Sequence, residues 1–365
     1  MSLQIGIVGL PNVGKSTVFN ALTGAGAEVA SYPFTTIEPN VGVVEVADER
    51  LDMVAALVKP EKVTATTIRF LDIAGLVKGA SHGEGLGNQF LGHIRNVDAI
   101  AMVVRCFRAS HIPHVTETLD PRSDIEVANL ELALADLATV EKRLEGVKKA
   151  CKGKPKEYEP ELRLLERLQE ALSRGDRAAG VPLDAEEERI LGGFGLLTAK
   201  PQFYVANVDE EAVQDGDGLV KAVEEAAARA GVEMVKICAQ LEVDLAEFPA
   251  EEAQAYRAEL GLRESGPRQV ISASYRLLNL VTFFTATGGR EVRAWTVVEG
   301  ASALEAAGKI HTDMQKGFIR AEVIPYGELI AAGSFAVARE KGVMRLEGRD
   351  YTIEEADVVH FRFNV

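Results

Sequence analysis

The amino-acid sequence predicts an α/β protein: a doubly wound, mainly parallel sheet with an inserted helical arm, followed by a smaller α+β module. Three observations predict this architecture. Short apolar segments rich in β-branched residues alternate with helical segments over much of the chain. Between residues 129 and 197 this alternation gives way to helical periodicity alone. After about Tyr275 the pattern changes again, to alternating strands around one short helix.

These changes divide the 365 residues into three predicted domains. The sheet domain comprises residues 1–128 and 198–275, the helical insertion residues 129–197, and the C-terminal module residues 276–365. A chain of this length exceeds the usual size of one hydrophobic core, so more than one domain is expected.

The predicted strands of the sheet domain are short and apolar, as is typical of a doubly wound sheet. They cover residues 3–9, 42–46, 67–71, 99–104, 203–207 and 235–239. In the C-terminal module a helix is predicted near residues 303–310. The strands predicted there cover residues 291–298, 318–324 and 358–363.

The helical insertion is predicted from two apolar stripes with helical spacing. The first stripe contains Leu130, Leu134, Leu137, Val140, Leu144 and Val147. The second contains Leu162, Leu165, Leu168 and Leu172. A Gly-Lys-Pro sequence at residues 153–155 separates the stripes, so two antiparallel helices are expected.

Composition favours a cytoplasmic protein without a membrane span. No apolar run reaches the roughly 18 residues that a membrane helix needs, and the N-terminus has no pattern of a secretory signal. The cysteines Cys106, Cys151 and Cys238 are far apart without metal-site spacing, so reduced thiols are expected. The formal net charge of −15 argues against indiscriminate nucleic-acid binding, and no DNA partner is expected.

The charge is unevenly distributed along the chain. Residues 207–264 contain 15 acidic and 5 basic residues, whereas residues 141–157 contain 7 basic and 3 acidic ones. Residues 276–365 are close to balance, with 11 basic and 12 acidic residues. An RNA-rich partner therefore fits the 141–157 segment or the C-terminal module better than the acidic segment. The alternative for residues 141–157 is a solvated helix face.

A phosphate-binding loop follows the first predicted strand. Residues 9–16 read Gly-Leu-Pro-Asn-Val-Gly-Lys-Ser, which matches G-x-x-x-x-G-K-S between a strand and a helix. In this motif backbone N–H groups at a helix N-terminus bind phosphate oxygens, the lysine neutralises the β- and γ-phosphates, and the serine ligates Mg²⁺. The predicted nucleotide-binding residues of this loop are Gly9, Asn12, Val13, Gly14, Lys15, Ser16 and Thr17.

A second motif, Asp72-Ile-Ala-Gly75, follows a later predicted strand. Asp72 is expected to hold Mg²⁺ together with Ser16, and the Gly75 N–H to contact the γ-phosphate. Between the two motifs, Thr36 is the preferred third magnesium ligand, with Thr35 as its neighbouring candidate. The alternative is a hydroxyl that caps a turn.

The base-reading segment departs from the guanine-specific pattern N-K-x-D. The chain has Asn207-Val-Asp-Glu210, so Val208 replaces the lysine and Glu210 replaces the aspartate that pairs with guanine. Asp209 is one position out of register, and its side chain is expected to point elsewhere. Asn207 can still pair with the N6/N7 edge of adenine, which favours ATP over GTP. For residues 238–242, a buried strand end and a direct base contact are both open.

The glycine-rich run at residues 75–91 resembles the second switch of the Obg group of GTPases. With the Asn207–Glu210 segment, the helical insertion and the C-terminal module, the whole chain is similar to the Obg-like ATPase (YchF) family. That resemblance implies a P-loop G domain, an inserted coiled-coil arm and a C-terminal TGS domain of β-grasp form. It also implies ribosome association, and its N-x-x-E variant goes with ATP preference. We expect a monomer that contacts the large ribosomal subunit and its RNA.

Hydrolysis requires a group that positions the attacking water. In many relatives a glutamine after D-x-x-G orients this water, but Leu76 stands here and cannot form such a hydrogen bond. The other candidates are His82, Glu84, His93, His111 and His114. His114 is preferred because it follows a predicted strand whose C-terminal end faces the nucleotide, and His82 comes second.

Asn12 suggests a second cation. An asparagine at this position resembles the K⁺-activated branch of these proteins, in which its carbonyl helps to bind K⁺. K⁺ is therefore a candidate cofactor beside Mg²⁺, and the alternative is a polar residue without an ion.

Three functions remain open from the sequence. An ATP-hydrolysing, ribosome-associated factor is favoured by the intact set of Lys15, Ser16 and Asp72. A nucleotide-gated binding module with negligible hydrolysis is favoured by Leu76. A conventional GTPase is the third, and the Asn207–Glu210 segment argues against it.

Overall fold

The computed structural model describes residues 3–24, 28–30, 39–76, 86–109, 112–114, 118–287 and 289–364. Its strands are β1 (Gln4–Val8), β2 (Glu28–Ala30), β3 (Asn40–Glu45), β4 (Lys62–Thr64), β5 (Thr67–Asp72), β6 (Ala99–Cys106), β7 (Gln202–Val208), β8 (Met234–Ile237), β9 (Leu280–Thr287), β10 (Glu291–Val298), β11 (Phe318–Pro325), β12 (Arg345–Glu347) and β13 (Asp357–Phe363). Its α-helices are α1 (Lys15–Thr23), α2 (Glu49–Val58), α3 (Leu86–Arg95), α4 (Pro121–Cys151), α5 (Pro155–Ser173), α6 (Ala185–Gly192), α7 (Gly218–Ala230), α8 (Ala239–Leu245), α9 (Ala250–Glu259), α10 (Gly266–Leu277), α11 (Ala303–Ile310), α12 (Thr312–Lys316), α13 (Tyr326–Ala332) and α14 (Phe335–Glu340).

A sheet of strand order β2-β3-β5-β1-β6-β7-β8 forms the centre of the nucleotide-binding part. β5, β1, β6, β7 and β8 run parallel, and β2 is antiparallel to β3. β1 is central, and Ile5, Ile7 and Val8 on it are fully buried. Because parallel strands end at the same edge of a sheet, the segments after β1, β5, β6 and β7 meet there. The predicted doubly wound α/β fold is confirmed.

The chain divides into two compact units. One contains Leu3–Val44 and Arg69–Ser274, and the other contains Glu45–Ile68 and Tyr275–Val365. The sequence prediction had assigned residues 45–68 to the sheet domain. The structure instead packs them with the C-terminal residues.

Residues 45–68 join the C-terminal unit through α2 and β4. β4 pairs with β10 at one edge of a six-stranded sheet of order β12-β11-β13-β9-β10-β4. Leu51 and Val54 of α2 are buried together with Phe284 and Val292. A three-residue strand carries too little periodic signal to reveal its partner, and the partner here lies more than two hundred residues further along the chain.

The predicted elements of the C-terminal module are present. Residues 291–298 form β10 and residues 303–310 form α11, as predicted, while β11 and β13 pair antiparallel. The rings of Phe283 and Phe361 pack edge to face in its core, with centroids 6.1 Å apart.

α4 and α5 form the predicted pair of antiparallel helices. Val140 and Leu144 of α4 share an apolar core with Leu165 and Leu168 of α5. Although α4 has 31 residues, neither it nor any other helix in the described ranges is long and apolar enough to cross a membrane.

α4 contacts β6 and α7 as well as α5. Leu130, predicted on the buried stripe, is 46% exposed. Further along, the fully buried carboxylate of Asp136 accepts hydrogen bonds from the backbone N–H groups of Leu197 and Thr198 at 2.8 and 2.7 Å. These bonds tie the end of the insertion back to the helix that begins it.

Candidate functional site

The phosphate-binding loop links β1 to α1, and its glycines are required by close contacts. Gly14 has φ = 89°, in the left-handed region. A Cβ atom on Gly14 would lie 2.2 Å from Asn207 Nδ2, and one on Gly9 would lie 2.4 Å from the Val103 carbonyl oxygen. A side chain at either position would therefore displace the loop from the strands that support it.

Lys15 begins α1 and is held inside the loop. Its side chain is buried, and Nζ donates a hydrogen bond to the Leu10 carbonyl at 2.8 Å. Burial lowers the pKa of Lys15 to about 8, and the nearby carboxylate of Asp72 partly opposes this shift. The ammonium group is thus fixed where the motif requires a cation for the phosphates.

Ser16 and Asp72 lie together, as predicted for a magnesium site. Ser16 Oγ donates to Asp72 Oδ2 at 2.7 Å. Burial raises the pKa of Asp72, while the Ser16 hydroxyl and the Lys15 cation lower it. One hydroxyl and one carboxylate are the hard oxygen donors that Mg²⁺ takes in such sites, so these residues fit the ion. The third predicted ligand, Thr36, and its neighbour Thr35 lie outside the described residues.

The segment after Asp72 returns to the phosphate loop. The Leu76 N–H donates to the Gly9 carbonyl at 2.9 Å, and a Cβ on Gly75 would lie 3.1 Å from Lys15 Nζ. The structure therefore brings Gly75 next to Lys15. The side chain of Leu76 is fully buried, so it belongs to the core.

A cavity of about 590 Å³ extends from the phosphate loop towards the ends of β7 and β8. Of the predicted residues, the following line it: Asn12, Gly14, Lys15, Ser16, Thr17, Asn207, Val208 and Glu210. Val13 is buried beside them. The sequence analysis missed part of the wall, which is formed by Phe107, Arg108, Ala109 and Ile112 after β6. The site thus has a phosphate end at the loop and a base end at β7 and β8.

Asn207 joins the parts of the base end. Its Nδ2 donates to the Val13 carbonyl at 3.1 Å, and its Oδ1 accepts from the Ala239 N–H at 3.2 Å. The side chain is buried. Because each polar atom already has a backbone partner, the predicted pairing with adenine can use only the second amide hydrogen and the second lone pair.

The two carboxylates that follow Asn207 have different partners. One oxygen of Asp209 accepts from the Ala212 N–H at 3.1 Å and caps a turn, and the residue also lines the cavity. Glu210 Oε1 accepts from the Tyr256 hydroxyl of α9 at 2.9 Å. Neither contact reproduces an aspartate aimed at a guanine edge.

Residues 239–242 belong to α8, which begins directly after β8, so they are not the predicted strand end. Cys238 is buried, and burial raises the pKa of its thiol. Cys238 lines the cavity together with Gln240 and Leu241. Glu242 is buried and ion-paired with Arg257 at 2.7 Å.

Asn12 and the segment after β6 touch each other. Asn12 has φ = 63°, and its Nδ2 donates to the Pro113 carbonyl at 3.1 Å. Pro113 precedes His114, whose Nε2 lies 3.0 Å from Asp124 Oδ2 in the first turn of α4. The described residues that line the cavity include Ile112 but not His114.

Of the other candidates for positioning water, His93 is the one within the described residues. His93 lies in the last turn of α3. His82, Glu84 and His111 lie outside the described residues. Arg105, a buried arginine that follows the apolar part of β6, was not among the residues predicted from the sequence. A lone charge at the end of an otherwise apolar strand was the available signal.

Two family models match the chain. One, described as 50S ribosome-binding GTPase, matches residues 4–150. The other, YchF-GTPase_C, described as a protein of unknown function, matches residues 280–364.

Relatives match over the full length. "Ribosome-binding ATPase YchF" of Bacillus subtilis (strain 168) is 52% identical over 367 residues, and that of Escherichia coli O157:H7 is 51% identical over 365 residues. Both alignments cover 100% of this chain and of the relative. The solved structure of the Schizosaccharomyces pombe YchF GTPase is 35% identical, covers 99% of this chain and 98% of that chain, and has a TM-score of 0.87. With half of its residues identical along the whole length and the same fold throughout, the chain belongs to the YchF family.

Proposed function

We propose that the protein is a ribosome-associated nucleoside triphosphatase of the cytoplasm that binds and hydrolyses ATP in preference to GTP, with Mg²⁺. The bacterial relatives bear the name ribosome-binding ATPase. The observation that carries the proposal is one cavity with Lys15 and Ser16 of the phosphate loop at one end and, at the other, a base segment without the guanine-pairing aspartate.

The phosphate end supplies the groups that phosphoryl transfer needs. Lys15 places its cation beside the phosphates, and the Gly75 N–H contacts the γ-phosphate. Ser16 and Asp72 would hold the metal ion. When bound there, Mg²⁺ neutralises charge on the β- and γ-phosphates.

The base end favours adenine because it lacks the side chains that recognise guanine. The lysine that covers a guanine base is replaced by Val208, and Asp209 is held by the Ala212 N–H. Glu210 is longer than aspartate and is held by Tyr256. Asn207 then presents its remaining amide hydrogen and lone pair to the N6/N7 edge of adenine.

For the attacking water, we propose His114 as the positioning or general-base group. Leu76 is buried and apolar, so it cannot perform this role. His114 belongs to the segment that Pro113 joins to Asn12 of the phosphate loop. The Asn12 carbonyl is the atom we propose for a bound K⁺, because its amide nitrogen is directed to Pro113.

Parallel titrations of the purified protein with ATP and GTP, with Mg²⁺ present, test the preference. We expect ATP to bind at least several-fold more tightly, and phosphate release to require Mg²⁺. His114→Ala should slow single-turnover hydrolysis at least about tenfold without changing ATP affinity. The same assay in Na⁺ should be slower than in K⁺. Equal or tighter binding of GTP would contradict the proposed preference.

A second candidate function is a binding module in which ATP sets a conformation and hydrolysis is negligible. Two observations favour it: Leu76 is buried, and the His114 imidazole is paired with Asp124 rather than lining the cavity. Phosphate release measured with and without ribosomes separates the two. Release that stays at the uncatalysed rate in both conditions would leave only the module.

For the ribosome contact, we propose two separate regions that meet the RNA of the large subunit: the C-terminal module, and residues 141–157 at the free end of the arm. Phosphate contacts need lysine and arginine. Several basic side chains here are exposed, and some already have acidic partners, as in the pair Arg143–Glu161. In the described part of the chain, no acidic group lies within ion-pair distance of Lys142, Lys149, Lys152 or Lys156.

The full-length variant Lys149→Ala/Lys152→Ala/Lys156→Ala tests the arm contact by co-sedimentation with ribosomes at several salt concentrations. Each lost phosphate contact should reduce the salt slope by about 0.7–0.9. Arg163→Ala/Arg174→Ala on α5 and its C-cap, where both arginines are paired with nearby glutamates, is the control. Unchanged binding by the triple variant would remove the arm from the proposal.

A further inference from the structure

A buried cluster outside the cavity fixes the segment that carries His114. Arg105 and Asp124 are both 4% exposed, and the side chain of His114 is 9% exposed. The three residues come from β6, from the first turn of α4 and from the segment between them. A buried charged group is costly unless it is paired, so these residues depend on one another.

Arg105 holds the backbone of the segment. Its guanidinium donates to the carbonyl oxygens of Phe107, Ala109 and Ile112, each at 3.2 Å, and to that of Pro113 at 3.5 Å. The planar fork of an arginine suits such a set of acceptors, which a lysine could not reach together. The carbonyl of Pro113 also accepts a hydrogen bond from Asn12, so Pro113 links the segment to the phosphate loop.

Asp124 holds the side chain of His114. Its Oδ2 lies 3.0 Å from His114 Nε2. Burial raises the pKa of Asp124 above its usual value, and the neighbouring His114 and Arg105 oppose this shift. An ionised carboxylate only accepts hydrogen bonds, so Nε2 carries a proton in this pair. The contact thereby orients the imidazole ring.

We propose that Asp124 is a positioning residue for hydrolysis: it fixes the His114 imidazole with Nε2 protonated and Nδ1 basic, while Arg105 fixes the backbone that carries it. This rests on the proposed role of His114. An asparagine at position 124 donates through its amide, so it favours the opposite tautomer, in which Nδ1 is protonated and cannot accept a proton from water. In serine proteases the corresponding reversal of tautomer lowers turnover by about 10⁴-fold.

The test is single-turnover ATP hydrolysis by full-length Asp124→Asn. We expect a rate at least about tenfold lower, with ATP affinity unchanged within about twofold. Asp124→Glu keeps the carboxylate and should recover part of the rate. Asp136→Asn is the matched control: it alters another buried carboxylate of the same helix, so it carries a similar stability cost, measured by thermal unfolding, but should keep the rate.

A double variant separates positioning from a general structural effect. In a His114→Ala background, Asp124→Asn should cause little further loss of rate, because residues that act as a unit are not additive. The full loss persisting in that background would overturn the proposal. An Asp124→Asn variant that hydrolyses ATP as fast as the unmutated protein would also overturn the proposal. A faster variant would overturn it too, and would mean that Asp124 restrains His114.

The outcomes also distinguish this inference from the proposed function. Absence of ATP hydrolysis by the unmutated protein refutes both. A His114→Ala variant of normal rate refutes the role of His114 and this inference with it. A slow His114→Ala variant beside a normal Asp124→Asn variant refutes the inference alone.

Discussion

The phosphate end and the base end of the cavity are built differently. At the phosphate end, Lys15, Ser16 and Asp72 come from two short motifs, and their functional atoms converge within hydrogen-bonding distance of each other or of the loop. At the base end, the most recognisable side chain, Asn207, is bonded to the backbone of two other segments. The side chains at the phosphate end are thus placed to meet a ligand. At the base end, the Asn207 side chain instead holds neighbouring backbone segments together.

This difference indicates where substitutions should act. A change at the phosphate end removes a charge from the reaction and should affect every nucleotide strongly. A change at the base end should alter either the choice between nucleotides or the stability of the site, depending on whether the residue faces the ligand or the backbone.

The largest effect is expected for Lys15→Ala. It removes the buried cation beside the phosphates, and loss of one such group costs about 10²–10³-fold in rate. Single-turnover hydrolysis and ATP titration measure it, with circular dichroism to verify the fold. Lys221→Ala, an exposed lysine on α7, is the matched control. Turnover that survives Lys15→Ala would contradict the assignment of the phosphate end.

Next in size is the double variant Val208→Lys/Glu210→Asp. Restoring the guanine pattern should add one bidentate pair, worth about 1–3 kcal/mol of discrimination, and shift preference towards GTP by roughly 5- to 150-fold. The ratio of GTP and ATP dissociation constants is the readout. Glu211→Asp, at the exposed neighbouring position, should leave that ratio unchanged. A ratio that does not move in the double variant argues that selection lies elsewhere in the cavity.

A smaller effect, of different kind, is expected for Asn207→Ala. The loss of two hydrogen bonds to buried backbone should lower the free energy of unfolding by about 1–3 kcal/mol. Without these bonds the loops of the base end should separate, so the affinities for ATP and for GTP should fall together. Thermal unfolding and both titrations test this. Loss of ATP affinity alone, at unchanged stability, would mean that Asn207 acts mainly on adenine.

The smallest effect is a pH dependence of ATP affinity. A lysine is charged below its pKa, and burial lowers that of Lys15 to about 8. The charged fraction therefore falls about tenfold between pH 7 and pH 9, and ATP affinity of the nucleotide-free protein should fall by about the same factor. Calorimetric titrations across this range measure it. Constant affinity up to pH 9 would indicate that Lys15 stays protonated.

Much of the fold followed from periodicity. Several features appear where the sequence predicted them: the parallel sheet, the change of pattern after about Tyr275, α11 and the α4–α5 pair. They were predictable because apolar residues repeat regularly along each of these elements. The assignment of residues 45–68 failed because β4 is three residues long. The prediction that Leu130 is buried was wrong. Helical spacing shows which side of α4 a residue lies on, but it does not show whether a neighbouring element covers that side at each turn.

The site divides in the same way. Gly9 to Ser16 are contiguous, so their motif alone specified a loop, a helix N-terminus and the position of Lys15. The contact of Asn207 with Val13 spans 194 residues, and the Asp124–His114 pair depends on how α4 packs against β6. Local chemistry fixes a contiguous loop, but contacts between distant segments exist only once the core has set their distances and directions. The sequence therefore determined the phosphate chemistry and the loss of the guanine clamp, and the tertiary structure decided what holds the base end and His114 in place.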